Sequence, residues 1–262
     1  MMSWCVVCTC SSMSSGKISI GTSGIALPGG KADFPVAYRD KSRLNYYASL
    51  FNSIEINSTF KKLPRASTLT NWSTEVGDNF TFTIKLLKDF THLKKQENIT
   101  IDAAGFMQAL EPLGNKNGCL LIQFPASTTA NDTAYLATLL NTLHEIDTNN
   151  RWRKAVEFRS DTWYTEATYN LLRRYNATLV LQDMPKSNNL PIQEAFSFCY
   201  FRYHGPKGDY RGSYTTTFLQ QQAARMHALL TQGRDVYVYF NNTMGSAFDN
   251  AMCLQELLRE MR

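Results

Sequence analysis

Glu55 and Asn57, Lys85, Gln123, Glu157 and Arg159, Asp183, Arg202 and His204, and Asn241 and Asn242 could do chemistry together in this 262-residue chain. Most of them close short runs in which polar and apolar residues alternate. The runs read Ser53-Ile54-Glu55-Ile56-Asn57, Phe82-Thr83-Ile84-Lys85, Val156-Glu157-Phe158-Arg159 and Tyr200-Phe201-Arg202-Tyr203-His204. Successive side chains of a strand point to opposite faces. Glu55 and Asn57 therefore share a face, as do Glu157 and Arg159, and Arg202 and His204. The opposite face carries Ile54, Ile56, Phe82, Ile84, Val156, Phe158, Phe201 and Tyr203. Charges gathered on an inward face are paired or used.

Three chemistries fit this set. Glu55 and Glu157, in different electrostatic surroundings, could divide into an acid and a base, with His204 as a further proton-transfer group; a hydrolase or lyase would use such a pair. Glu157, Asp183 and His204, from three successive strands, could hold a divalent metal, although cations at Arg159 and Arg202 oppose one. The sequence requires no cofactor. Arg159 and Arg202 could grip a carboxylate or phosphate, with Lys85 adding a point charge and Asn57, Gln123, Asp183, Asn241 and Asn242 lining the site. The turn His204–Tyr214, rich in Gly and carrying Lys207 and Arg211, suits an anion-binding loop or a solvated connector. The competing reading is purely structural: three acidic and three basic groups form a buried network that neutralises itself.

Eight strand-like runs must position these residues: Ile18–Thr22, Ser53–Asn57, Phe80–Lys85, Cys119–Phe124, Ala155–Arg159, Thr178–Gln182, Cys199–His204 and Val236–Asn241. Helical periodicity falls between most of them, over Lys41–Phe51, Ala66–Val76, Ala103–Leu113, Thr133–Ile146, Thr165–Tyr175, Phe218–Gln232 and Ala247–Met261. The sixth crossover, around Asn188–Ala195, is short. Strands alternating with helices imply right-handed parallel βαβ units. Eight units in this length match a (β/α)8 TIM barrel, an α/β fold whose sites lie at the C-terminal strand ends. The rival is an open doubly wound sheet, but the first turn, Gly21-Thr22-Ser23-Gly24, lacks the glycine fingerprint of that class. Tyr237 and Tyr239 share a face with Asn241 and are expected at the barrel centre. Trp72 and Trp163 read as packing residues.

Composition agrees with a globular chain: 44% hydrophobic, 12% aromatic, net charge +5. There is no basic run to argue for nucleic acid and no apolar stretch of membrane-spanning length. Cys5, Cys8 and Cys10 have the spacing of a partial metal motif without a second cluster. Cys119, Cys199 and Cys253 read as buried thiols. Residues 1–13 read as a disordered or non-native extension with Met13 as the natural start, and residues 14–262 as one barrel domain in the cytoplasm. The partner expected is an anionic or polyhydroxylated small molecule. The alternative is a non-catalytic binder of phosphorylated metabolites or nucleic acid.

From Ile18 to Leu258 the chain resembles the YecE-like family (domain of unknown function 72). The resemblance rests on Gly21-Thr22-Ser23-Gly24, Glu55-Ile56-Asn57-Ser58-Thr59-Phe60, Phe82-Thr83-Ile84-Lys85 with Thr91-His92, and Gln123-Phe124-Pro125. It continues in Glu157-Phe158-Arg159 with Trp163, Arg202-Tyr203-His204-Gly205 and Tyr239-Phe240-Asn241-Asn242. It implies a TIM barrel and the position of a site, and leaves the reaction open. Ile25-Ala26-Leu27-Pro28 stands where the family has a Trp and a Tyr, Lys61 where it has a Tyr, and Ser160 where it has a His.

Overall fold

The computed structural model describes residues 15–92, 99–187, 189–190 and 196–261. The expected extension over 1–13 lies outside the described residues, as does most of the sixth crossover. The strands are β1 (Ile18–Thr22), β2 (Ser53–Ile56), β3 (Thr81–Lys85), β4 (Asn117–Phe124), β5 (Arg153–Phe158), β6 (Ala177–Gln182), β7 (Phe198–Tyr203) and β8 (Asp235–Phe240). They pair in parallel in the order β1-β8-β7-β6-β5-β4-β3-β2. An isolated bridge between Ser23 and Glu55 joins β1 to β2 at the C-terminal end. The ring rules out the open sheet.

The lower part of the β1–β2 join is made by a side chain. Asn52 Oδ1 accepts from the Ile20 amide at 2.9 Å, and Asn52 Nδ2 donates to the Ile18 carbonyl at 2.6 Å. One amide thus does the work of a short ladder. Gly21 lets the two strands approach here: a Cβ at that position would lie 2.0 Å from the Ser53 carbonyl oxygen.

Helices α1 (Arg43–Leu50), α2 (Ala66–Glu75), α3 (Ile99–Ala109), α4 (Thr133–Ile146), α5 (Glu166–Arg174), α6 (Thr216–Thr231) and α7 (Ala247–Glu260) cover the ring. Their apolar spacing explains the packing. In α4, Leu136, Leu139, Leu140 and Leu143 recur on one stripe and are fully buried. Truncating any one to Ala would cost about 2–5 kcal/mol. Ser42, Thr165 and Thr215 cap α1, α5 and α6 by accepting from the amides of Asn45, Thr168 and Phe218. Helix α3 starts earlier than the periodicity suggests and stops at Ala109. Pro112, which has no N–H to continue the helix, sits in a following 3-10 turn over Glu111–Leu113.

Strand β5 begins two residues before the expected Ala155. Arg153 turns inward, pairs with Asp235 at 2.5 Å and lies over the Phe198 and Tyr237 rings. Above it the interior is filled by Cys119, Leu121, Ala155, Val180, Phe198, Tyr200, Tyr237 and Tyr239. This plug makes the centre a packed core, and the inward side chains of β7 climb through it. Phe198 and Tyr200 are followed by Arg202 and then, just past the strand, His204. Apolar floor thus becomes charged mouth along a single strand.

Candidate active site at the C-terminal mouth

Arg202 is the hub of the charged cluster. It is 1% exposed, and its partner Glu55 is fully buried. A guanidinium has five N–H groups, and all of them have partners here. Nε reaches both Glu55 oxygens at 3.1 and 3.0 Å, and Nη2 reaches Glu55 Oε1 at 2.9 Å and Asn57 Oδ1 at 3.4 Å. Nη1 reaches Glu157 Oε2 at 3.0 Å and His204 Nε2 at 3.2 Å. Glu55 is equally committed, since Ser23 donates to Oε1 and Tyr200 to Oε2, each at 2.6 Å. Burial alone would raise the Glu55 carboxyl. The Arg202 charge and these hydrogen bonds outweigh burial and hold it below its usual value.

Glu157 bridges this deep layer to the rim. Its Oε2 faces Arg202. Its Oε1 lies 2.6 Å from Arg159 Nη2, an ion-pair distance reached without a well-aligned N–H. Burial is again opposed, chiefly by Arg159 and then Arg202, so the carboxylate stays ionised well below the usual range. Arg159 Nη2 also approaches His204 Nε2 at 3.1 Å. With two guanidinium groups aimed at Nε2, that nitrogen accepts, and the ring proton sits on Nδ1, 3.3 Å from Asp183 Oδ1. Burial holds the His204 pKa below its ordinary value, so the ring is neutral. Asp183 is itself fixed by Tyr214, which donates to Oδ2, and by the His204 backbone amide at 2.7 Å.

Lys85 closes the rim opposite. It is 8% exposed, donates to Gln123 Oε1 at 2.7 Å, and stands 4.2 Å over the Phe60 ring. Among the described residues no carboxylate lies within 4.0 Å of Nζ. Burial, then the charge of Arg202, pushes the amine down to about 8. Arg159 keeps a buried Nε–H that makes no hydrogen bond among the described residues. Asn57 receives Arg202 on its oxygen, and its amide nitrogen makes no hydrogen bond among the described residues. Asn241, 8% exposed, follows Tyr239 in the inward alternation. Asn242 does not join the mouth: its Nδ2 donates to the Gly212 carbonyl and to Asn250 Oδ1, against α7 and the preceding loop.

Ten of the eleven residues singled out in the sequence therefore meet at one end of the barrel. Several that matter were missed. Tyr200 shares the face of Arg202 and His204, so strand alternation could have found it. Gln182, inward on β6 and fully buried, donates to the Phe158 carbonyl at 2.6 Å. Ser23 and Tyr214 act from loops, where no period applies. Among the described residues no cluster of three or more His, Cys, Asp or Glu side chains has the arrangement of a metal site. Glu157 and His204 are each turned toward guanidinium groups instead. A cleft of about 990 Å³ opens at the opposite, N-terminal end, beside Ser19, Asn52, Arg153, Asp235 and Tyr237. Its main charged pair is already satisfied, so the unspent chemistry lies at the mouth.

Residues 19–262 match a family described as protein of unknown function DUF72. The chain belongs to the DUF72 family. It is 24% identical to UPF0759 protein YunF of Bacillus subtilis, covering 86% of this chain and 89% of that one. A DUF72 family protein of Enterococcus faecalis superposes with a TM-score of 0.75 at 20% identity, over 92% of this chain and 95% of the other. One from Thermotoga maritima superposes with a TM-score of 0.73 at 25% identity, over 93% and 99%. This DUF72 barrel thus has the fold expected from its alternating strands. No helix among the described residues is long and apolar enough to cross a membrane.

Proposed function

We propose that this DUF72 barrel is an enzyme that acts on a small anionic, polyhydroxylated molecule at the C-terminal mouth. The observation that carries this reading is the division of the charged cluster into a satisfied half and an unspent half. Arg202, Glu55, Tyr200 and Ser23 saturate one another, and a structural network accounts for them fully. It does not account for Lys85, whose partner is a neutral amide, or for Arg159, whose Nε–H is buried without an acceptor. An anion at the rim would supply what both lack.

The geometry redistributes the roles expected from sequence. Glu55 has no free oxygen, and Arg202 has no free N–H, so they position the rim without touching a ligand. His204 holds Arg159 and is held by Asp183. Arg159 and Lys85 then bind the anionic group, while Asn57, Gln123 and Asn241 offer amides to hydroxyls. Lys85, with a pKa of about 8, is the group whose proton is exchangeable near neutral pH, and we assign the acid/base step to it. Glu157, ionised, steadies the cations around it. Thiols at Cys119 and Cys253 without a disulfide support a reducing, cytoplasmic setting.

Thermal unfolding with inorganic phosphate, sulfate, sugar phosphates and small carboxylates tests the reading. A ligand at a hundred times its Kd stabilises by about 2.7 kcal/mol. At least one of these anions should raise the melting temperature of the wild type. The gain should vanish in Arg159→Gln, provided that variant alone still melts cooperatively, at a temperature lowered by the loss of the Arg159 ion pair with Glu157. Equal gains in both proteins, or none in the wild type, would overturn the proposal.

A further inference from the structure

The described residues contain three buried lysines: Lys85, Lys116 and Lys154. Two have a carboxylate. Lys116 reaches Asp78 at 3.4 Å and the Gly77 carbonyl at 2.8 Å, and Lys154 reaches Asp147 at 3.2 Å. Lys85 has Gln123 and the face of Phe60. It is also the one of the three at the end of the barrel where the anion-binding groups gather. A lysine becomes a nucleophile when it is desolvated or set beside another cation. Lys85 meets both conditions, since it is nearly enclosed and feels Arg202 and then Arg159, and burial with these charges outweighs the opposing pull of Glu157 and Glu55.

We infer that Lys85 is an amine nucleophile that condenses with the carbonyl carbon of a small anionic aldehyde or ketone seated at the mouth. This rests on the anion-binding reading above and narrows its substrate to carbonyl compounds. The lone pair of neutral Nζ forms the C–N bond. Both Nζ protons depart on the former carbonyl oxygen, first as the carbinolamine hydroxyl and then as water, leaving an imine. Protonated at nitrogen, the imine withdraws electrons from the neighbouring carbon. That is the chemistry of a carbon–carbon lyase or of a proton transfer beside a carbonyl. No oxidant or metal enters the balance. Gln123, which accepts from Nζ, holds the amine at the end of β3, and Arg159 is placed to take the carboxylate or phosphate of the same molecule.

The test uses the full chain with sodium cyanoborohydride and, separately, pyruvate, glyceraldehyde 3-phosphate or uncharged dihydroxyacetone. Hydride reduces the protonated imine to a stable secondary amine, which peptide mass mapping locates. At pH 7 a pKa of about 8 leaves on the order of 200-fold more neutral amine than an ordinary lysine has. Lower basicity takes part of that back, so Lys85 should label at least about tenfold faster than any surface lysine. An anionic carbonyl should label it faster than dihydroxyacetone, and inorganic phosphate should slow it. Labelling spread evenly over the lysines, or unchanged in total when Lys85→Arg is compared with folded wild type, overturns the inference. If phosphate still raises the melting temperature when Lys85 fails to label, the imine is wrong and the anion site stands. If neither effect appears, both readings fall.

Discussion

Lys154 and Lys85 are buried lysines near the two ends of the same barrel, and they are treated differently. Lys154, near the N-terminal end, sits between Asp147 and Asn150 at 3.2 Å each. Lys85, at the C-terminal end, has one amide and an aromatic face. The backbone repeats the contrast. Left-handed conformations at the N-terminal end fall on Asn150 and Asn176, residues that tolerate them. At the C-terminal end, among the described residues, the left-handed residue that is not glycine is Tyr210, with φ of 65° and its ring edge-on to His204. The Tyr210 backbone is held from both sides, its amide by the His204 carbonyl and its carbonyl by the Met244 amide. One end is built at low energy. The other holds a bulky side chain on a left-handed backbone, which costs on the order of 1–2 kcal/mol.

That contrast can be broken by measurement. The largest effect belongs to Arg202, which occupies the carboxylates that Lys85 lacks. Arg202→Gln leaves Glu55 buried without its cation and Glu157 with Arg159 alone, and should cost about 3–5 kcal/mol in urea unfolding. The paired lysine comes next: Lys154→Met leaves Asp147 buried without its cation and should cost about 1–3 kcal/mol. Lys85→Met should move the other way and stabilise by about 1–2 kcal/mol, because it removes a desolvated ammonium that has no carboxylate in contact among the described residues. A loss at Lys85 as large as the loss at Lys154 would erase the distinction between the two ends.

The pH dependence of the Lys85 difference sharpens the point. The folded amine, at about 8, lies below the unfolded value near 10.4. Between them the unfolded chain binds more protons, so wild type gains on Lys85→Met as pH rises through that window. The advantage of the variant should be complete at pH 7 and largely gone by about pH 10. The smallest effect concerns Tyr210. Both Tyr210→Ala and Tyr210→Gly lose the ring, but only Gly relaxes the left-handed backbone. The Gly variant should be about 1 kcal/mol more stable than the Ala variant.

Much of this was legible in the chain. Alternation placed Glu55, Lys85, Glu157 and Arg202 on one face, and a barrel has only one interior in which to gather them. The helices followed from apolar stripes such as that of α4. Pairing was not legible, because Glu55 and Arg202 are far apart in sequence and only closure of the ring brings them to 2.9 Å. Nothing local tells Arg202, with every N–H taken, from Arg159, with donors to spare. Nor does Asp209-Tyr210-Arg211-Gly212 announce a left-handed tyrosine, since the glycines beside it are the expected bearers of that conformation. Asn242 has the parity of outward-facing Phe240, and its side chain turns toward α7 and the preceding loop, so only Asn241 of the pair continued the inward alternation.

The amide of Asn52 governs how such a ring would come apart. Seven joins are main-chain ladders, while among the described residues the eighth has one bridge at the top and two side chains below, Asn52 and the Tyr47 hydroxyl, which accepts from the Thr22 amide and donates to the Ser53 carbonyl. A hoop opens at its clasp. Under rising denaturant the barrel should unroll there first, with the Ile20 amide, which leans on Asn52, exchanging its hydrogen ahead of the Val156 and Phe201 amides on the far side. Because Ser23 and Glu55 form the upper half of that clasp, loosening it would release the carboxylate that holds Arg202.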